Sequence, residues 1–113
     1  MTRMTWLYDF YGNLLTDKQK QYMELYYSHD LSLGEISEEQ QVSRQAVHDN
    51  LKRAQKALEN YEDKLGLVAK FMQERAKLNK IAVLLEDFEK TGAIQPVGEA
   101  TGMIKEILEL ENN

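Results

Sequence analysis

One hundred and thirteen residues, 42% of them hydrophobic and 29% charged, are enough for a single core. No apolar run approaches the ~20 residues that cross a bilayer, and the acid and aromatics among the first ten residues do not read as a secretory signal, so the expectation is a cytoplasmic chain without membrane insertion. The lack of cysteine removes disulfides, thiolate metal sites and cysteine nucleophiles, and 14 Lys+Arg against 19 Asp+Glu leave a net charge of −5, so a nucleic-acid site must be a local basic patch on an acidic body.

Helical periodicity runs through the chain and strand signals are nearly absent. From Met4, the apolar positions Met4, Leu7, Tyr8, Tyr11, Leu14 and Leu15 keep the rhythm of one helical face. Thr16-Asp17-Lys18-Gln19 reads as a capping box, and the helix it opens carries Tyr22, Met23, Leu25, Tyr26 and Tyr27 before stopping near Ser28-His29-Asp30. A second box at Ser32-Leu33-Gly34-Glu35 opens a short helix with Leu33 and Ile36 inward and Ser37 beside them. Ser43 caps a third helix, predicted over Arg44 to Leu65 and about 33 Å long at ~1.5 Å per residue. Its stripe Val47, Leu51, Ala54, Leu58, Tyr61 and Leu65 alternates steps of four and three.

Gly66 is the expected stop, which divides the chain into a helix-turn-helix domain over 1–66 and a helical segment over 67–113. Beyond it, Leu67, Phe71, Leu78, Ile81, Leu85 and Phe88 form another stripe that ends at Thr91-Gly92. The Gly and Pro content of residues 91–98 predicts a loop. A short last helix with Met103, Ile104, Ile107 and Leu108 on one side then runs into the polar tail Glu111-Asn112-Asn113. The stripes at 47–65 and 67–88 exceed what one small bundle needs, and a helical hairpin that contributes to a homodimer follows as an expectation.

The segment from Leu31 to Ala54 has the layout of a helix-turn-helix: a capped short helix ending near Gln40, a tight turn with Val42 inward, and a capped second helix whose N-terminal exposed residues enter the major groove. With Arg44 at zero and ~100° per residue, Val47, Leu51, Ala54 and Leu58 cluster between about 280° and 340°. Arg44, His48, Lys52, Gln45 and Asp49 spread from zero to about 140° on the opposite, wet side. Arg44 suits guanine or phosphate, Gln45 suits adenine, and Lys52 and Arg53 suit phosphates. Ser43 to Lys56 holds four Lys/Arg and one acid, a local +3. Asp49 opposes phosphate unless Arg53, four residues on, neutralises it or it accepts from cytosine. The expected nucleic-acid-binding set is Ser43, Arg44, Gln45, His48, Asp49, Lys52 and Arg53. The expected core of the motif is Leu33, Ile36, Val42, Val47, Leu51, Ala54 and Leu58.

The strings Leu15-Thr16-Asp17-Lys18-Gln19, Glu24-Leu25-Tyr26-Tyr27, Leu31-Ser32-Leu33-Gly34-Glu35-Ile36, Val42-Ser43-Arg44-Gln45-Ala46-Val47 and Leu51-Lys52-Arg53-Ala54 resemble region four of bacterial sigma factors. More closely they resemble the YlxM-type family of small helix-turn-helix proteins, over about residues 6 to 65. The resemblance implies an all-α, sigma-region-four-like helix-turn-helix without a wing; the stripes above add the expectation of an extended recognition helix and a C-terminal helical hairpin, where the match is only in being helical. The resemblance also implies a DNA-binding-like module tied to the signal recognition particle pathway, whose components would be partners. Two positions depart from the family pattern. Gln41 stands where the turn usually has Gly, at roughly 1 kcal/mol if φ is positive there. Ser37 replaces Ala and fits if its hydroxyl bonds back to its own helix.

Other constellations are weak. His29 and His48 lack a ligand triad, so no metal is expected. Glu38-Glu39 and Glu62-Asp63 read as solvated carboxylates. Trp6, Tyr8 and Tyr11 are spaced for a core, with Phe10 off the stripe. Without a phosphate loop or nucleophile elbow, neither an enzyme nor a cofactor is expected. A regulator that binds DNA, or else RNA, is the preferred reading. The alternative is a protein-interaction module of the signal recognition particle machinery that keeps the helix-turn-helix shell without using it on DNA.

Overall fold

The computed structural model describes residues 2–111, so the expected tail residues Asn112 and Asn113 lie outside the described part. Among the described residues there are six α-helices and no strands: α1 (Arg3–Tyr11), α2 (Asp17–Met23), α3 (Leu33–Gln40), α4 (Arg44–Leu65), α5 (Leu67–Thr91) and α6 (Gln95–Glu111). The protein is all-α. Its contacts gather into two compact units, residues 1–68 and 69–113.

The caps that start the helices of the first unit are local. Thr2 caps α1, accepting from the Thr5 N–H. Thr16 and Gln19 form the reciprocal box that opens α2, and Ser32 and Glu35 the one that opens α3. Ser43 accepts from the Ala46 N–H at 3.0 Å to open α4. Each cap satisfies backbone donors that the first turn of a helix leaves without partners.

Two turns depart from simple periodicity. A 3-10 turn over Gly12–Leu14 ends α1 early, so Leu14 points to solvent and only Leu15 continues the apolar face. After Met23, α2 widens into a π-helical turn over Glu24–Ser28, closed by the His29 N–H donating to the Glu24 carbonyl at 3.0 Å. Leu25 is half-buried and Tyr26 exposed in that turn.

The core of this unit joins Leu7, Tyr11, Leu15, Tyr22, Met23, Ile36, Val47, Leu51, Ala54, Leu58 and Val68. Helix α4 packs on α1, α2 and α3, so its apolar stripe organises the unit. Of the expected motif core, Ile36, Val47, Leu51, Ala54 and Leu58 are buried; Leu33 and Val42 are half-buried at its edge. The stripe also runs out sooner than its spacing suggests, since Tyr61 is half-buried and Leu65 is 55% exposed.

Glu62 overturns the expectation of a solvated carboxylate. It is buried, accepts from the Tyr11 hydroxyl, and accepts from the Val68 N–H at 2.9 Å. The Tyr11 oxygen in turn accepts from the Leu67 N–H at 3.0 Å. The two side chains therefore cap the start of α5, whose first N–H groups have no helical partner. Gly66 makes this corner with φ +63, the left-handed C-cap of α4. In consequence Val68, not the exposed Leu67, enters the core.

In the second unit, α5 and α6 are joined by residues 92–94, and Lys77 on α5 pairs with Glu106 on α6 at 3.2 Å. The expected loop over 91–98 is mostly helix. Pro96 sits in the first turn of α6, where its missing N–H removes no helical bond. Ile81 and Ala100 are the buried hydrophobic residues of this unit among the described ones, whereas Leu78, Leu85 and Phe88 of the expected stripe are exposed and Phe71 is half-buried. On α6, Met103 and Ile107 are half-buried and Ile104 and Leu108 exposed.

Candidate nucleic-acid interface

Helix α3, the turn 41–43 and the first half of α4 form the two-helix element. Gln41 ends α3 in the left-handed conformation at φ 57, ψ 45, the conformation its glycine-like position demands. The turn is held from inside. The Ser37 hydroxyl donates forward to the Val42 carbonyl instead of back along its own helix, and the Val42 N–H donates to the Ser37 carbonyl at 3.1 Å. That pair of bonds fixes the angle at which α4 leaves the turn.

With Val47, Leu51 and Ala54 turned inward, Ser43, Arg44, Gln45, His48, Asp49, Lys52 and Arg53 are all exposed. The hydroxyl of Ser43 is committed to the cap. Gln45 donates to Asp49 Oδ1 at 2.9 Å, and His48 Nδ1 lies 3.6 Å from the same oxygen. Asp49 is thus held by Gln45, with the His48 ring beside it. It makes no ion pair with Arg53, contrary to one of the expected ways of neutralising it.

Arg44 does not project straight into solvent. A Cβ on Gly34 would lie 3.0 Å from Arg44 Nη2 and 3.1 Å from its Nε, so the guanidinium lies across the first turn of α3 in the space that glycine leaves. Gly34 was legible only as part of a capping box, and its steric role was missed. Lys56, counted in the local charge but not in the expected binding set, is exposed and lies one turn beyond Lys52 on the same side. Among the described residues Arg44, Lys52, Arg53 and Lys56 have no acidic partner within ion-pair distance. Elsewhere an exposed arginine is matched, as where Arg3 forks onto both oxygens of Glu59 at 3.0 and 2.8 Å.

Comparison with known proteins decides the family. A profile described as "Putative helix-turn-helix protein, YlxM / p13 like" matches residues 1–96. The chain belongs to the YlxM/p13-like helix-turn-helix family. Among its relatives, the UPF0122 protein YlxM of Bacillus subtilis is 52% identical over 99 residues, covering 88% of this chain and 90% of that one. A UPF0122 protein of Desulforamulus reducens is 52% identical over 103 residues, covering 91% and 88%. One from Bacillus mycoides is 57% identical over 88 residues, covering 78% and 80%. The family match includes the whole two-helix element and all of α5. No helix among the described residues of this YlxM/p13-like chain is long and apolar enough to cross a membrane.

Proposed function

We propose that the chain is a non-enzymatic, DNA-binding regulator that uses the N-terminal half of α4 as its recognition helix. The observation that carries this reading is the run of four exposed cations, Arg44, Lys52, Arg53 and Lys56, none held by an acid, on one helix of a protein whose net charge is −5. Unmatched charge of one sign on a rigid helical face is what neutralisation of phosphates requires. Arg44 and Gln45 lie at the start of α4, where a recognition helix reaches base edges; Lys52, Arg53 and Lys56 lie further along, where the phosphate backbone runs. To read a base, Arg44 must leave Gly34 and Gln45 must release Asp49; both are exposed contacts that cost little to exchange.

The test is selection of duplexes from a random-sequence DNA pool, followed by affinity measured against salt. The logarithm of the affinity should fall by roughly 0.9 per phosphate contact for each logarithm of salt. Lys52→Ala with Arg53→Ala should weaken binding to all sequences and lower that slope by about two. Arg44→Ala should cost about 1–3 kcal/mol and relax the preference at one base. Absent or salt-indifferent binding would overturn the proposal. The net charge of −5 favours a second reading, a protein-interaction module of the signal recognition particle machinery that does not use the two-helix element on DNA, and docking by apolar burial would show that flat salt response. We further propose that residues 69–113 join two copies of the chain.

A further inference from the structure

Where α2 widens into its π-helical turn, Tyr26 and Tyr27 are brought together edge to face, with ring centroids 5.0 Å apart. The π-helical turn ends the helix, and its wider spacing sends the two neighbouring rings to different surroundings. The effect is visible in this turn. The Tyr27 hydroxyl accepts from Gln55 Nε2 at 2.9 Å, which fixes that ring against α4, while Tyr26 remains 38% exposed.

The tyrosine pair stands between two clefts of opposite character. One is bordered by Asp30 and Glu35, acids that repel a phosphate chain. The other, about 170 Å³, is lined by Tyr26, Tyr27, Leu33, His48, Lys52 and Gln55, and opens onto the recognition face. Lys52 there has no acidic partner, and His48 has only the neighbouring Asp49 carboxylate. Small-molecule pockets run to roughly 300–1,000 Å³, so this space suits one flat ring and no large ligand. An aromatic wall, an amide and a free lysine are the parts with which proteins hold an unstacked base beside its phosphate.

We infer that this cleft receives a single unpaired nucleobase, stacked on Tyr26 with its phosphate toward Lys52, from a nucleic acid lying along α4. The inference rests on the nucleic-acid reading proposed above and deepens it, because it makes distortion or unpairing of the strand part of what is recognised.

The probe is a hairpin duplex with one extrahelical 2-aminopurine, made in DNA and in RNA, against the same hairpins fully paired. Full-length protein should bind a bulged hairpin more tightly than its paired counterpart and quench the 2-aminopurine. The sugar for which this holds identifies the source of the base. Tyr26→Leu, which keeps the apolar volume without a π face, should lower affinity for the bulged hairpin about 5- to 100-fold and leave the paired one unchanged. Tyr26→Phe should behave as wild type. Equal affinity of wild-type protein for bulged and paired hairpins overturns the inference while the basic face of α4 stands. Binding to neither, in either sugar, overturns both.

Discussion

Gln41 carries the clearest conformational strain in the helix-turn-helix element, since a residue with a Cβ sits at φ 57 and its exposed side chain is fixed by no hydrogen bond. Gln41→Gly should raise stability by about 1 kcal/mol, read as an upward shift of the urea or thermal midpoint. A lower midpoint would mean that the glutamine is not strained there. Tyr11 carries the opposite kind of residue-level cost. Burial and, next, its bond to Glu62 push its phenol above the usual range. Tyr11→Phe removes the donor to a buried carboxylate and the acceptor of the Leu67 N–H, at about 1–3 kcal/mol. The sign with pH follows from the raised folded value. The contribution of neutral Tyr11 is complete below the ordinary tyrosine pKa of ~10 and is lost as pH rises through the higher folded value. Wild-type stability should therefore fall in alkaline buffer more steeply than that of Tyr11→Phe, and parallel curves would contradict the assignment.

Helix α4 serves two purposes at the element scale, because one stripe holds the first unit together while the opposite side stays wet. Leu51 is the residue on which both depend: it is buried between positions that carry His48 and Lys52 to the surface. Leu51→Ala should cost roughly 2–5 kcal/mol of folding stability, and a negligible change in melting temperature would show that another face of α4 is inward. The bounds of α4, its cap and its buried positions from Val47 to Leu58 were legible in the sequence because they follow from local caps and a regular apolar spacing. The same holds for both capping boxes, whereas the left-handed conformation at Gln41 was anticipated only through the glycine that the family has at that position. The π-helical turn was not legible, because one turn of i to i+5 bonding leaves no repeat in the residue pattern. Glu62 was misread for a different reason. Its partners, the Tyr11 hydroxyl and the Val68 N–H, belong to elements that only the tertiary fold brings together, although its place four residues beyond Leu58 continues the buried stripe. Pro96 misled through its reputation as a breaker, which does not apply in a first helical turn.

At the scale of the whole molecule, the two units differ in how well they satisfy their own apolar surface. The first encloses a continuous core, whereas residues 69–113 bury Ile81 and Ala100 among the described positions and leave Met72, Leu78, Val83, Leu85, Phe88, Ile104 and Leu108 exposed. Two amphipathic helices cannot cover each other's stripes on all sides; four can, around a common core. Leu78, Ile81, Leu85 and Phe88 repeat at three and four residues, the spacing of a seam between paired helices. Assembly of two copies through this unit, as proposed above, would also supply the two recognition helices that a symmetric operator needs. Light scattering at tens of micromolar should then give twice the 13.2 kDa chain mass. Leu78→Glu with Leu85→Glu should halve that value while the melting of the first unit stays in place, since neither residue belongs to its core. DNA affinity of the double variant should drop although every residue of α4 is intact. A wild-type chain that is monomeric at those concentrations, or a double variant that still pairs, would place the partner of this apolar seam elsewhere.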